Sequence, residues 1–574
     1  MALNLVNQVG EWNPQLFREI KGRLKPRNIL IAVTLSLLGQ MLVLMNFASQ
    51  LPVANDVFRA SPNFLHRYCT GSQQNYSPPT CELDGLGGVV INWSLWWQDV
   101  FIWMSLLGSA VLLIAGTYML ISDLSKEEQR GTLNFLRLTP QSSQSILIGK
   151  MLGVPILLYL VGFLALPLHL AAGLLGEISL GMILGVYAVV GAACLFFYSV
   201  ALLFGLTGTW LGGFQAWLGA GAVLIYMWTM TAMAGYSGYY IGHYPTDWLM
   251  LFSPSAWMTY LSGTNSLVRY LGNPSDGITV LTVWGLPVGV NAWSMLGVML
   301  LNYGIWTYWA WVGLKRCFHN PKATLFGKQQ SYWLIACFQV VILGFALDPK
   351  VAGWRSYPKG LFENFQMLLV FNLLLFLCLI AALSPHRQAM QDWARYRHQQ
   401  RQGRKRGVIA DLIWGEKSPA LMAIALNVAI ASAILLPWIL LWPESEYKLP
   451  AIFALLVNMS LILVYAAVAQ LMLLMKSPKR ASWAAATVGL FLVVPPILFA
   501  FMSKTGEVNA ELWLFSAFPW IGVENTSAMA VFLAVIGQSL TMGLLSLQLT
   551  RQLRKAGESS TKALLSGRLP VAID

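Results

Sequence analysis

Charge is scarce in this chain. Asp, Glu, Lys and Arg make up 11% of its 574 residues, against 57% apolar ones, and the mean hydropathy is +0.60. That balance excludes an ordinary water-soluble globule. A phosphate-binding G-x-x-x-x-G-K-[ST] loop is also missing, because the two Gly-Lys pairs, Gly149-Lys150 and Gly327-Lys328, are followed by Met151 and Gln329. This polypeptide therefore cannot hydrolyse ATP by that route. Its 6 His and 6 Cys do not fall at metal-ligand spacing, so no metal centre and no bound cofactor are expected. Acidic and basic side chains are nearly absent from the apolar runs, where an ion-coupled carrier keeps them for coupling. The polar residues found there, such as Gln40, Gln215, Asn302, Asn427 and Asn458, are amides, which more often join helices.

What is present is a series of apolar runs of about 20 residues, each long enough to cross a hydrocarbon core of about 30 Å as helix. Twelve such runs are expected, from residues 29–50 to residues 523–549. The first follows a basic segment and has no small-residue cleavage pattern, so it reads as a retained helix and not a signal peptide. The expected fold is an all-α polytopic membrane protein with two pseudo-repeats of six spans. An N-terminus placed inside, with sides alternating at each span, puts most of the 37 Lys and Arg in inner loops, as the positive-inside rule requires. Both termini are then cytoplasmic, and the expected location is the plasma (inner) membrane. The net charge of +13 reflects topology and attraction to membrane lipid, not nucleic acid.

The expected organisation is an interfacial amphipathic helix within residues 1–28, a first six-span domain over 29–316, a second over 317–550, and a cytoplasmic tail over 551–574. In the N-terminal segment Asn13 suits an N-cap and Pro14 the first helical position. Leu16, Phe17, Ile20 and Leu24 fall on one face, which predicts a helix lying along the inner membrane surface or a plain topological anchor. The inner loop 123–150 is the stretch that looks built to touch a soluble partner. It has mixed charge at Lys126, Glu127, Glu128 and Arg130, then Gly131 and Thr132, then an apolar ridge of Leu133, Phe135 and Leu136. Pro140 ends the helix, and Ser142 or Ser143 can cap the next one. Such a helix can pass a push from a cytosolic protein into both flanking spans, or it can lie on lipid.

The residues Glu127-Glu128-Gln129-Arg130-Gly131-Thr132-Leu133, followed by Leu136, Pro140 and Gly149-Lys150, resemble the inner loop of type-2 ABC exporter permeases. The resemblance covers the first six spans, including the aromatic outer segment Leu251-Phe-Ser-Pro-Ser-Ala-Trp257. It implies that this loop is a coupling helix docking on a separate cytosolic ABC ATPase subunit, which binds the ATP and Mg that this chain does not. Glu127, Glu128, Arg130, Gly131, Thr132, Leu133, Leu136 and Pro140 would carry that coupling. Gln129 stands where the family often has a second acidic residue.

The second half offers weaker echoes of the first. Asn320-Pro-Lys-Ala-Thr-Leu-Phe326 is similar to Asn13-Pro-Gln-Leu-Phe17, and Leu514-Phe-Ser-Ala-Phe-Pro-Trp520 to Leu251–Trp257. A tandem duplication would account for both. The pathway is then formed either by a homodimer or by one chain supplying both transmembrane halves. The second long inner loop, 384–418, has no Gly-Thr-Leu pattern and is strongly basic, so it reads as a loop facing anionic lipid and fixing topology. Cys69 and Cys81 share the outer loop 51–99. They are either two free thiols or a disulfide, which would restrict the unfolded chain by about 3 kcal/mol. His169, two residues after Pro167 within a span, reads as a helix-packing residue more readily than a substrate contact. The function expected is a permease subunit exporting a hydrophobic or amphipathic substrate, not an enzyme. Against it stand an ion-coupled carrier and a lipid-dependent transferase using Glu82 and Asp84.

Overall fold

Long apolar stretches without internal breakers fold as long helices, and the longest here lies directly ahead of the inner loop. The computed structural model describes residues 10–52, 64–72, 78–84, 88–208, 211–235, 244–261, 281–347, 360–400, 407–443, 445–502 and 510–557. Among them, the only strands are two two-residue ones, β1 (Thr282–Val283) and β2 (Leu286–Pro287), paired as a hairpin. Two units divide the chain, one of residues 1–242 and 247–319, the other of 243–246 and 320–574.

In the first unit α1 (Pro14–Arg23) is followed by α2 (Pro26–Ala48), α3 (Trp93–Gln129), α4 (Thr132–Arg137) and α5 (Ser143–Gly153). Then come α6 (Ile156–Leu175), α7 (Leu180–Thr207), α8 (Phe214–Gly235) and α9 (Ala292–His319). Helix α3 has 37 residues and is about 55 Å long at 1.5 Å per residue, so about 25 Å of it extends past a 30 Å hydrocarbon core. It packs on α6, α7 and α8, and α9 packs on α7. Between residues 64 and 92, Cys69 and Cys81 are disulfide-bonded with Cα atoms 4.8 Å apart. Arg67 pairs at 2.6 Å with Asp99 near the start of α3, and the Tyr68 hydroxyl donates to the same carboxylate. Asp84 accepts from the Gly88 amide at 2.6 Å, so it closes a turn.

Ten helices among the described residues are long and apolar enough to cross a membrane, against the twelve runs expected. Helix α9 falls short because its Trp, Tyr and Asn302 lower its hydropathy and its end carries Lys315 and Arg316. The expected seventh run is α10 (Lys328–Leu343), which is helical for only 16 residues.

The second unit continues with α11 (Gly360–Leu383), α12 (Arg387–Gln400), α13 (Val408–Trp414), α14 (Leu421–Leu440), α15 (Lys448–Leu473), α16 (Arg480–Met502) and α17 (Ala528–Gly557). Helix α15 is central, packing on α11, α14, α16 and α17. The segment after Asn320 is a set of turns and not a counterpart of α1. There the Asn320 side chain accepts from the Lys322 amide, whereas Asn13 caps a true helix. The two aromatic segments, by contrast, share a local form. Leu251–Trp257 joins short helices at Asp247–Met250 and Ser255–Met258, and Leu514–Trp520 joins Ala510–Trp513 and Trp520–Val523. Trp257 is 0% exposed and Trp520 4%.

Helix α1 sits on α5 where two glycines, one turn apart, remove the side chains between them. A Cβ on Gly149 would meet the Leu16 nitrogen at 2.9 Å, and one on Gly153 would meet the Glu19 Cβ at 2.5 Å. Filling that notch should overpack the contact. We expect Gly153→Leu to destabilise the protein by about 2 kcal/mol and to open residues 10–25 to limited proteolysis. Gly162→Ala, with nothing within 4 Å of its Cβ position, should leave the melting curve and the cleavage pattern unchanged. Equal behaviour of the two variants would refute the notch.

Candidate functional site

Asp123 and Glu127 lie one turn apart at the end of α3, Glu19 and Arg23 one turn apart on α1, and Lys150 projects from α5 between them. The Lys150 side chain is 0% exposed. Its Nζ is 2.7 Å from Asp123 Oδ2, 2.8 Å from Glu127 Oε2 and 3.7 Å from Glu19 Oε1. The contact to Glu127 is one of charge, off the direction of a hydrogen bond. Two guanidinium groups close the outside. Arg23 reaches Asp123 at 2.6 Å and Glu19 at 3.1 Å, and Arg18 reaches Glu127 at 2.7 Å and Glu19 at 3.3 Å. Three carboxylates therefore face three cations, and no net charge is left buried.

A buried ammonium is tolerated only when paired and hydrogen-bonded, because desolvation of each ion costs several kcal/mol. Here the carboxylates of Glu19, Asp123 and Glu127 have oxygens within 4.8 Å of one another, a spacing that could hold a metal ion. The Lys150 ammonium already supplies the positive charge at that point. The α1 backbone is fixed from the same side, since Asn13 caps α1 by accepting from the Leu16 amide and donates through Nδ2 to the Ser145 carbonyl of α5. The buried face of α1 is therefore Gln15, Leu16 and Glu19. Contacts to α5 through these residues therefore hold α1 as well as any it makes along a membrane surface. Phe17, Ile20 and Leu24 are half-buried.

Beyond α3 the chain turns through Gly131, whose φ of +71° favours glycine, into the six-residue α4. Leu133 and Leu136 point inward, 1% and 6% exposed, into a cluster with Leu124, Ile146, Leu147 and Phe318. Arg137 donates from Nε to the Phe318 carbonyl at 2.8 Å and lies 3.7 Å from Glu128. Burial pulls its guanidinium below the usual range, with Glu128 and Cys317 opposing. The opposite face carries Phe135, 71% exposed, and Leu138, 84% exposed, with Gln129, Arg130, Thr132 and Pro140 around them.

No family model, no curated protein and no solved structure matches the chain. The site has to be read from its own geometry. That geometry splits the expected apolar ridge, for Leu133 and Leu136 are covered by the chain itself while Phe135 faces out. The acidic residues belong to the end of α3 and not to the start of α4, and Glu127 is held within the ion cluster. Pro140 lies past the helix, which ends at Arg137, and Ser142 caps α5 by accepting from the Ser145 amide.

Five members of the cluster escape the motif: Arg18, Glu19, Arg23, Asp123 and Lys150 in its buried role. The available signal was the i, i+4 spacing of Asp123 and Glu127 and a lone lysine at the mouth of an apolar run. His169 lies elsewhere in the unit. It is hydrogen-bonded to Ser105 at 2.7 Å and Tyr187 at 2.9 Å, so it ties α3, α6 and α7 together.

Lys150→Met should leave three carboxylates facing two cations, and breaking a buried pair in this way costs about 3–5 kcal/mol. We expect a large drop in melting temperature for Lys150→Met in detergent, and a much smaller one for Lys150→Arg. An unchanged melting temperature for Lys150→Met would mean that the cluster holds nothing together.

Proposed function

We propose that this chain is the membrane-embedded permease subunit of an ABC-type exporter, worked by a separate cytosolic ATPase that docks on α4. The observation that carries this reading is the two-faced α4. Phe135, on the six-residue helix, and Leu138, directly after it, stand exposed, while the helix's other face, Leu133 and Leu136, is buried against α3, α5 and α9. An exposed apolar pair backed by a buried one is a knob on a rigid mount. Support comes also from the resemblance of residues 127–150 to the inner loop of type-2 exporter permeases, and from the lack of any phosphate loop in this chain.

In this reading the ATPase, with its ATP and Mg, pushes on Phe135 and Leu138. The ion cluster makes α1, the end of α3 and α5 move as one body, so the push reaches the apolar parts of α3 and α6 as a tilt. The substrate is hydrophobic or amphipathic, the spans number twelve, both termini lie on the cytoplasmic side of the plasma membrane, and the two halves descend from one six-span ancestor. The paired forms of 247–258 and 510–523 support the last point, although the turns after Asn320 do not. The rarity of charged residues inside the spans favours this over an ion-coupled carrier, and the turn role of Asp84 argues against a transferase that uses it.

We expect the double substitution Phe135→Asp, Leu138→Asp to abolish copurification of an ATPase and ATP-dependent export while leaving the melting temperature intact, since both side chains are exposed. Retention of both activities would sink the proposal. Leu133→Asp is no test, because a buried charge would unfold the cluster first.

A further inference from the structure

Three elements of the first unit bring aromatic side chains together beside α9. Trp248 lies in the short helix Asp247–Met250 and Phe252 follows it, Phe196 belongs to α7, and Tyr303 and Trp306 belong to α9. Between ring centres, Phe252 is 5.1 Å from Trp248 and 5.0 Å from Phe196, Tyr303 is 6.1 Å from both phenylalanines, and Trp248 is 5.4 Å from Trp306. Two polar groups beside these rings have no hydrogen-bond partner among the described residues. They are Asn302 Nδ2 and the Tyr303 hydroxyl, on residues 5% and 1% exposed. We infer that Asn302 and Tyr303 bind a neutral acceptor oxygen, a hydroxyl or a carbonyl, of an amphipathic molecule whose apolar part lies against the rings.

The orientation of the amide is forced. Trp248 and Trp306 both donate their indole N–H to Asn302 Oδ1, at 2.9 and 3.0 Å, and an indole nitrogen can only donate. Exchanging the amide's oxygen and nitrogen would set donor against donor twice, so the NH2 group is the one left over. Asn302 joins helices through its oxygen and keeps its donors unused. It lies about 15 Å along α9 from the start at Ala292, half the thickness of a hydrocarbon core. At that depth a donor that nothing accepts from is costly, and bulk water does not relieve it. Such a group calls for an explanation beyond packing.

The surroundings select the chemistry. Helices α7 and α8 and residues 292–314 of α9 contain no Asp, Glu, Lys or Arg, and Asp247 is the one charged residue of 247–258. An anion would find no cation there and would face Asp247, whereas a cation would be opposed by the amide NH2. A neutral oxygen accepts from the amide and from the tyrosine hydroxyl at once. Trp248 and Phe252 are buried, while Trp306 and Phe196 are half-buried, so these two form the outer edge past which the ligand group enters. That the molecule is the exported substrate rests on the permease reading, but its binding does not.

The test is photolabelling of the full-length chain alone in phosphatidylcholine nanodiscs, with a diazirine-bearing fatty alcohol and a diazirine-bearing alkane of equal length. The alcohol should label residues 247–252 and 302–306 about tenfold more than the alkane, and that excess should fall about threefold in Tyr303→Phe and vanish in Asn302→Leu. Asn302→Leu leaves two indoles without their acceptor and is expected to melt lower, so Tyr303→Phe carries the test. Removing an unmet hydroxyl should hold its melting temperature or raise it. Equal labelling by the two probes would overturn the inference, and so would an excess that Tyr303→Phe leaves unchanged. An excess lost together with a lowered melting temperature in Tyr303→Phe would also overturn it, by giving the hydroxyl to the fold. The labelling involves no ATPase, so these failures leave the permease reading standing, and failure of the Phe135, Leu138 prediction leaves the site standing.

Discussion

The first unit depends on one ammonium group. Lys150 stands where α1, α3 and α5 meet, and without it the three carboxylates of Glu19, Asp123 and Glu127 could not share one buried space. The attraction among these charges need not exceed what apolar packing in the same volume would provide, because desolvation offsets much of it. What it supplies is a strong penalty for partial separation. If α1 slides off α5 by a few ångströms, charges lose their partners in a poorly hydrated site, whereas a slipped apolar contact loses only area. Apolar packing by Leu133, Leu136 and Leu147 holds α4 in place, and the ion cluster decides that α1, α3 and α5 keep one arrangement.

That division explains the glycines. Lys150 Nζ lies within 3.7 Å of all three carboxylates, so the backbones that carry them must come close. Gly149 and Gly153 are the means, since a side chain at either would stand α1 away and leave Lys150 short of Glu19. Gly149 precedes the lysine directly, so the residue that creates the approach and the residue that uses it are neighbours. The disulfide and the Arg67–Asp99 pair fix the far end of α3, and the same helix is therefore tied at both ends by groups outside its apolar middle.

Much of the helical frame was legible because it rests on local rules. Asn13 and Pro14 begin α1 where cap chemistry puts them, and long apolar runs became helices. The site was legible only as a neighbourhood. The 127–140 segment stands out in the sequence, but which of its residues face out depends on what α3, α5 and α9 present to α4. Periodicity in six residues carries no such information, so it does not separate Phe135 from the two leucines it opposes. Lys150 reads in the sequence as part of a Gly-Lys pair and not as a buried charge, because its partners, Glu19, Asp123 and Glu127, are brought to it only by the fold. The number of spans is hard to read from sequence for a different reason. Trp and Tyr suit membrane interfaces but score poorly for hydropathy, and α9 is rich in both.

The two Gly-Lys pairs invite a comparison of what a buried lysine can do. Lys150 meets carboxylates, so its charge is answered in kind and the cluster is neutral. Lys328 meets two carbonyls and a hydroxyl, with Asp411 the nearby opposite charge. Burial pushes it down to about 8, with Asp411 working against that shift. A lysine depressed in the folded state binds its proton more weakly there than in the unfolded chain. Its contribution to stability is therefore present above the unfolded value and is lost as pH falls through about 8. The ammonium of Lys328 at neutral pH thus persists against its surroundings, held by hydrogen-bond geometry. Both lysines clasp a segment before a membrane helix. One does so by cancelling charge, which resists any displacement. The other does so by directed bonds to neutral oxygens, which fix the segment by geometry and leave its charge answered only in part, by Asp411.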